Sequence, residues 1–325
     1  MDEKLFHWPI ITREDEEAVL DVLRRGTMSG TDITKRFEAE FAEWMGMPHA
    51  LATCNGTAAL TAAFWACGVG AGDEIICPSM TYWASAASAL TLGATVNFAD
   101  IDPDSLCIDP NDIEHRIGKR TRAIVVVHYA GHPCDMDRIL PIARKHGIKV
   151  VEDASHAQGS LYKGRLCGSL GDISAMSLMA GKSFAVGEGG IILTANRQLY
   201  ERCISFGHYE RTGAPSRFNP KDNQISDPEL QKFSGIALGA VKHRMNQTVS
   251  AMGRVQLKYY PERIAVIQKA LNRFWAGLRD VPGLRPHRID LTEGSTMGGW
   301  YYPHGLYRSS ELGGLSCEKF CEAVR

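Results

Sequence analysis

A formal charge of −1 over 325 residues, from 37 acidic and 36 basic side chains, leaves this chain no net field to draw it to nucleic acid or an anionic membrane. A hydrophobic fraction of 44% with 22% charged residues describes a globular protein with a substantial core, in one large domain or two. No apolar run nears the roughly 20 residues of a membrane-spanning helix. The nine cysteines form no CxxC pair, and the acidic start Met1-Asp2-Glu3-Lys4 lacks signal-peptide character. A reducing cytoplasm is therefore expected, and a zinc site is not.

Apolar periodicity predicts a helix over Glu14 to Arg25 with Thr12 as its N-cap, and an amphipathic helix over Lys35 to Met45 whose Phe37, Phe41 and Trp44 face a core. His49 to Cys54 reads as a strand, followed by a turn at Asn55-Gly56 and a helix from Thr57 to about Cys67. Further strands are expected at Glu74 to Cys77, Thr95 to Ala99, Ala123 to His128 and Ile148 to Glu152. Helices near Trp83 to Leu92, Asp109 to Ile117 and Met136 to His146 separate them. This alternation implies an α/β fold with a mostly parallel sheet covered on both faces. Ile173 to Leu178 and Gly190 to Leu193 read as two more strands. Gly207 to Gly235 is a long polar loop, and a helix resumes near Asn246 and runs past Tyr260. Trp300 to Tyr307 reads as a strand of a second, smaller domain, and Ser316 to Arg325 as a helix.

Chemistry concentrates where strands end. Lys182 lies where an apolar stretch gives way to the cluster Gly187-Glu188-Gly189-Gly190. An ammonium there is costly to bury, so it acts as a nucleophile of lowered pKa or finds a carboxylate; a surface lysine beside a glycine turn is the competing reading. The pair Glu152-Asp153 ends an earlier apolar strand. A lysine with a strand-end acid is the minimum set for a pyridoxal phosphate (PLP) enzyme.

Asn55-Gly56-Thr57-Ala58 is a strand-to-helix turn whose free amides suit a phosphate, although a plain N-cap explains it as well. Ser177 can join the site only if the chain turns at Ala180-Gly181. Tyr82 can stack on a planar cofactor or simply pack. In an open α/β sheet, ligands bind beyond the carboxyl ends of parallel strands, and these groups fall at four such ends in sequence. No GxGxxG follows the first strand, which argues against a dinucleotide binder.

Five stretches together resemble the sugar aminotransferases of the DegT/DnrJ/EryC1/StrS type, from about Ile10 to Tyr260. They are Asn55 to Leu60, Gly72 to Tyr82, Glu152 to Ala157, Tyr162 to Arg165 and Lys182 to Gly190. The resemblance implies a three-layer fold type I PLP-transferase large domain over residues 1–255. Residues 256–325 would form a linking helix and the start of an incomplete C-terminal α+β domain. It implies PLP as cofactor, with Lys182 forming the Schiff base and Asp153 holding the pyridine nitrogen. Gly56, Thr57, Ala58 and Ser177 would meet the phosphate, Tyr82 the ring face, and His156 the cofactor's phenolic oxygen unless it is structural. It further implies a glutamate or glutamine donor, a keto-sugar or cyclitol ketone acceptor, and a homodimer with shared sites.

Two departures stand out. Asn55 replaces the usual serine, and Lys242-His243-Arg244 replaces Asn-Tyr-Arg, making Lys242 the candidate for the partner subunit's cofactor phosphate. A PLP-dependent sugar dehydratase is disfavoured, because those relatives carry histidine in place of the lysine. A PLP-binding regulatory protein without turnover remains open. In the polar loop, His208, Arg211, Arg217 and Lys221 are expected to be solvated rather than to meet a diphosphate.

Overall fold

The computed structural model describes residues 8–213, 222–289 and 293–325. Helix α1 (Arg13–Arg25) starts at a capping box in which Thr12 and Asp15 satisfy each other's backbone amides. Helix α2 (Asp32–Met45) begins a little before the expected Lys35 and ends at Gly46 in the left-handed conformation.

The central sheet alternates with helices as expected. It contains β1 (His49–Thr53), β2 (Glu74–Pro78), β3 (Thr95–Ala99), β4 (Thr121–Val127), β5 (Lys149–Asp153), β8 (Ile173–Ser177) and β9 (Gly190–Thr194). Between them run α3 (Gly56–Ala66), α4 (Ala84–Leu90), α5 (Pro110–Arg116) and α6 (Met136–His146). The short strands β6 (Leu161–Tyr162) and β7 (Arg165–Leu166) form a separate ribbon. The strand order is β1-β9-β8-β5-β4-β2-β3, and β9 alone runs antiparallel to its neighbours. The carboxyl ends of β1, β2, β5 and β8 therefore share one edge.

Period-two patterning builds the two covered faces. Along β4, Ile124 and Val126 join one core with Phe37 and Phe41 of α2, Ile113 of α5 and Ile139 of α6. Ala123, Val125 and Val127 join the other, with Leu60 and Phe64 of α3, Ala89 of α4 and Ile204. Ile204 lies in α7 (Arg197–Gly207), so helices cover both faces and the three-layer expectation holds. Trp44 stands edge-on to Phe41 and Tyr260, at 5.2 and 5.6 Å between centroids, which upholds its reading as core.

The polar loop contains a short helix, α8 (Pro228–Gln231), and leads to α9 (Gln247–Gly277), which runs unbroken across residue 255. Two expectations fail here. His208 and Arg211 are fully buried rather than solvated; Arg217 and Lys221 lie outside the described residues. The expected strand Trp300 to Tyr307 shrinks to β11 (Gly305–Tyr307), paired with β10 (Leu284–Pro286). Trp300 adopts φ 50°, which takes the chain out of extended conformation and sends the next two residues toward the sheet edge. The chain closes on α10 (Cys317–Val324), capped by Ser316.

Arg211 is buried because Glu38 is. Its Nη1 lies 2.7 Å from Glu38 Oε2, while Glu38 Oε1 accepts the Ala52 amide at 2.8 Å. The pair ties α2 and β1 to the segment after α7. Replacing Glu38 by alanine removes the nearer carboxylate of a buried guanidinium, leaving Glu210 at 3.9 Å from Nε, and should cost about 3 kcal/mol. Urea unfolding measures it, and the double replacement Glu38→Leu with Arg211→Met should cost less than Glu38→Ala alone.

Candidate active site

At the shared strand edge lies a cavity of about 520 Å³, bordered by Asn55, Gly56, Thr57, Tyr82, Asp153, His156, Ser177 and Lys182 among others. Seven of the nine residues anticipated from the sequence thus converge on one space. Ala58 and Lys242 do not line it.

The first turn of α3 forms one wall. Asn55 is its N-cap, and Asn55 Oδ1 accepts the Ala58 amide at 2.8 Å. That bond engages the Ala58 N–H in the helix cap. The amides of Gly56 and Thr57 precede the first intrahelical bond and remain at the positive end of the helix. Gly56 is required by packing: a Cβ there would sit 2.6 Å from the Cβ of Ser177. This close approach presses the end of β8 against the start of α3. The Ser177 hydroxyl oxygen accepts the Met179 amide at 3.4 Å, leaving its proton to donate.

Beyond Ser177 the chain turns as the glycines suggest. Leu178 and Ala180 donate to Gly189 and Gly187, and the Lys182 amide bonds to Met179 O at 2.8 Å. Lys182 is only 7% exposed. Burial pushes its ammonium down to about 8, against the opposing pull of Asp153. The ring of Tyr301 lies over Nζ at 4.1 Å.

Asp153 ends β5. Its Oδ1 accepts the Ser155 amide at 3.1 Å, and Oδ2 accepts the hydroxyl of Ser85 at 2.6 Å. Its neighbour Glu152 faces the opposite side of the strand, bonded to His128 Nε2 at 2.9 Å and to the amides of Gly168, Leu170 and Gly171. The two adjacent carboxylates therefore divide into a structural group and a cavity group.

His156 is held neutral. Burial first, and the Lys182 charge second, push it down to about 3. Its Nδ1 accepts the Ala130 amide at 3.3 Å, which assigns the ring proton to Nε2. Its ring stacks on Tyr301 at 4.2 Å. Tyr82 is more than half exposed and borders the mouth beside Trp83.

Lys242 is exposed, with Nζ 5.4 Å from the Tyr209 ring centroid. Its neighbours are fixed against the end of β1 by the Cys54 amide to His243 O and a Thr53–Arg244 bridge. The sequence reading missed Ser85, Tyr129, Tyr301 and Tyr302. The last two were hidden because Trp300 to Tyr307 has the composition of a strand. Ser155 and Glu188 also border the cavity, inside stretches already singled out.

The donor set fits PLP: helix-start amides and a serine hydroxyl for a phosphate, a carboxylate for a pyridinium, and an amine of lowered pKa for an aldehyde. Fold and site together define a fold type I, PLP-dependent transferase. Residues 9–319 match the DegT/DnrJ/EryC1/StrS aminotransferase family, and the chain belongs to it.

Among its relatives, it is 36% identical over 278 residues to the spore coat polysaccharide biosynthesis protein SpsC of Bacillus subtilis (strain 168), covering 85% of this chain and 69% of that protein. It is 39% identical over 331 residues to an L-glutamine:2-deoxy-scyllo-inosose aminotransferase of Streptomyces kanamyceticus, covering 98% of this chain and 74% of that one. The chain spans about half the length of several further curated relatives. The solved structure of an aminotransferase from Psychrobacter cryohalolentis superposes with a TM-score of 0.82 at 31% identity, over 96% of this chain and 78% of that one.

A depressed lysine is neutral above its pKa. In cofactor-free protein, capture of the PLP aldehyde should rise about tenfold per pH unit up to pH 8 and level off above it. Stopped-flow absorbance follows this, with Lys182→Ala as the silent control. A midpoint near the ordinary lysine value would contradict the burial argument.

Proposed function

We propose that this chain transfers an amino group from glutamate or glutamine to the ketone of a cyclitol such as an inosose, or of a nucleotide-linked keto-sugar. The observation that carries the reading is one buried cavity holding both an amine pushed down to about 8 and the strand-end carboxylate of Asp153. When bound, PLP supplies an electron sink and a carrier for one amino group.

The chain's own groups do the rest. Gly56 and Thr57 amides and the Ser177 hydroxyl would hold the phosphate. Asp153 would face the ring nitrogen and favour its protonated form. Tyr82 and His156 confine the ring, and neutral His156 can donate from Nε2 to the phenolic oxygen. Lys182 Nζ, as a free amine, would take a proton from the donor's α-carbon and would deliver one to the acceptor's former carbonyl carbon.

The acceptor reading is weighted by charge. Among the described residues bordering the cavity, Lys182 is the sole Lys or Arg, while Tyr129, Tyr301 and Tyr302 offer phenols. That set suits an uncharged polyhydroxylated ketone better than a diphosphate. The relative from S. kanamyceticus, named for an inosose, supports the same choice. Retention of Lys182 weighs against the dehydratase alternative, and the lysine with Asp153 weighs against a regulator without turnover.

We further propose a homodimer in the cytoplasm, with residues 1–255 as the large domain and 256–325 as linking helix and start of the small one. Exposed Tyr82, Trp83, Leu90, Phe98, Ile236 and Val241 would supply apolar contact area. No helix among the described residues is long and apolar enough to cross a membrane. Lys242, outside its own chain's cavity, would reach the partner's cofactor phosphate.

Assay of the purified protein against inososes and nucleotide-linked keto-sugars, with both donors, tests the substrate reading; no amino transfer to any ketone would refute it. Lys182→Ala should lose at least about a thousandfold in turnover, since proton transfer alone contributes on the order of 10²–10⁴. Asp153→Asn should retain cofactor but lose several orders of magnitude.

Lys242→Ala should weaken PLP retention about ten- to a hundred-fold, the loss of one charge-assisted contact. Mixing Lys242→Ala chains with Lys182→Ala chains should restore part of the activity, because one site of each mixed dimer is then intact. Absence of rescue despite subunit exchange would place Lys242 outside the neighbouring site.

A further inference from the structure

Asp153 is held by more than its strand. Ser85, in α4, is fully buried and donates to Asp153 Oδ2 at 2.6 Å. Behind it, Thr81 Oγ1 lies 2.7 Å from Ser85 Oγ. An ionised carboxylate only accepts, and a serine hydroxyl has one proton to give. The Ser85 proton therefore goes to Asp153, and Thr81 must donate to Ser85. The direction of the relay is fixed: Thr81 to Ser85 to Asp153.

The helix is built for this contact. Ala84, Ala86 and Ala89 are buried with Ser85, so α4 approaches the sheet with almost no side-chain bulk. A buried hydroxyl on such a face is costly unless bonded. Its bond to a charged acceptor lies at the short, strong end of the range. The second oxygen is tied from a different element, by the Ser155 amide beyond β5. Two donors from two directions leave the carboxylate one orientation at the border of the cavity. Thr81 itself borders that cavity, so the relay runs along its wall.

We propose that Ser85, backed by Thr81, is a positioning residue that locks the Asp153 carboxylate in the orientation that meets the pyridine nitrogen. The inference rests on the assignment of Asp153 to that nitrogen. Without Ser85 the carboxylate loses one of its two donors and gains rotational freedom, so its hold on the ring proton weakens.

The test compares Ser85→Ala, Ser85→Thr and Asp153→Asn in the holoenzyme. Its readouts are the pH titration of the bound cofactor's visible absorbance, kcat and acceptor KM, with thermal unfolding of the cofactor-free proteins as a check on packing. Ser85→Ala should shift the absorbance midpoint in the same direction as Asp153→Asn but by less. It should lower kcat about ten- to a hundred-fold while acceptor KM stays nearly constant. Ser85→Thr, which keeps the hydroxyl, should restore most of both, and Thr81→Val should give a weaker version of the alanine effect.

If Ser85→Ala leaves the absorbance titration and kcat unchanged while Asp153→Asn loses both, the positioning role is overturned and Ser85 is packing only. The positioning role is equally overturned if Ser85→Ala changes nothing but the unfolding temperature of the cofactor-free protein. If Asp153→Asn is itself silent, the assignment of Asp153 falls, and this inference falls with it.

Discussion

Everything at the functional edge depends on one close approach: the backbone of Gly56 lies against Ser177, with no room for a Cβ between them. That contact joins the start of α3 to the end of β8. It places two helix-start amides and a serine hydroxyl side by side, and it fixes where the following turn can put Lys182. Gly190, where β9 begins, is under a similar constraint, since a Cβ there would lie 2.3 Å from Asn55 O. The glycines of this region serve close packing of backbone on backbone, and the chemistry is built around that packing.

Around this junction the protein buries an amine and a carboxylate at the carboxyl edge of the sheet. Each is costly alone. Asp153 is compensated by two hydrogen bonds, and Lys182 is compensated in part by Asp153 and the face of Tyr301. The compensation is incomplete for the lysine, whose pKa stays lowered. A nucleophile that must be neutral near physiological pH is obtained by withholding solvent rather than by adding a base. The turn at Met297 to Trp300 completes the enclosure. Gly299 packs where a Cβ would meet Ser183, and the strained φ of Trp300 sends Tyr301 and Tyr302 to the cavity.

Much of this was legible in the sequence because the signals are local. Strand and helix periods located the seven strands of the central sheet and helices α1 to α6 and α9 to within a few residues, and the groups at four strand ends do meet; α7 and the β6–β7 ribbon went unread. What escaped notice depends on tertiary contact. Ser85 looks like filler in an alanine-rich helix until the sheet brings Asp153 to it. Tyr301 and Tyr302 have strand composition, and only the left-handed residue before them reveals that the chain turns away. Ala58 does not border the cavity and its amide is taken up by the cap at Asn55, a local choice that the residue types alone do not announce. His208 and Arg211 were expected in solvent because their segment is polar; the buried partner of Arg211 is Glu38, far away in sequence.

The central claim is that Lys182 is the residue that takes the cofactor. Reduction of the PLP-loaded protein with borohydride, followed by proteolysis and mass mapping, tests it directly. The account predicts a phosphopyridoxyl adduct on the peptide carrying Lys182 and on no other lysine. An adduct confined to a different lysine, or none after loading is confirmed, would contradict it.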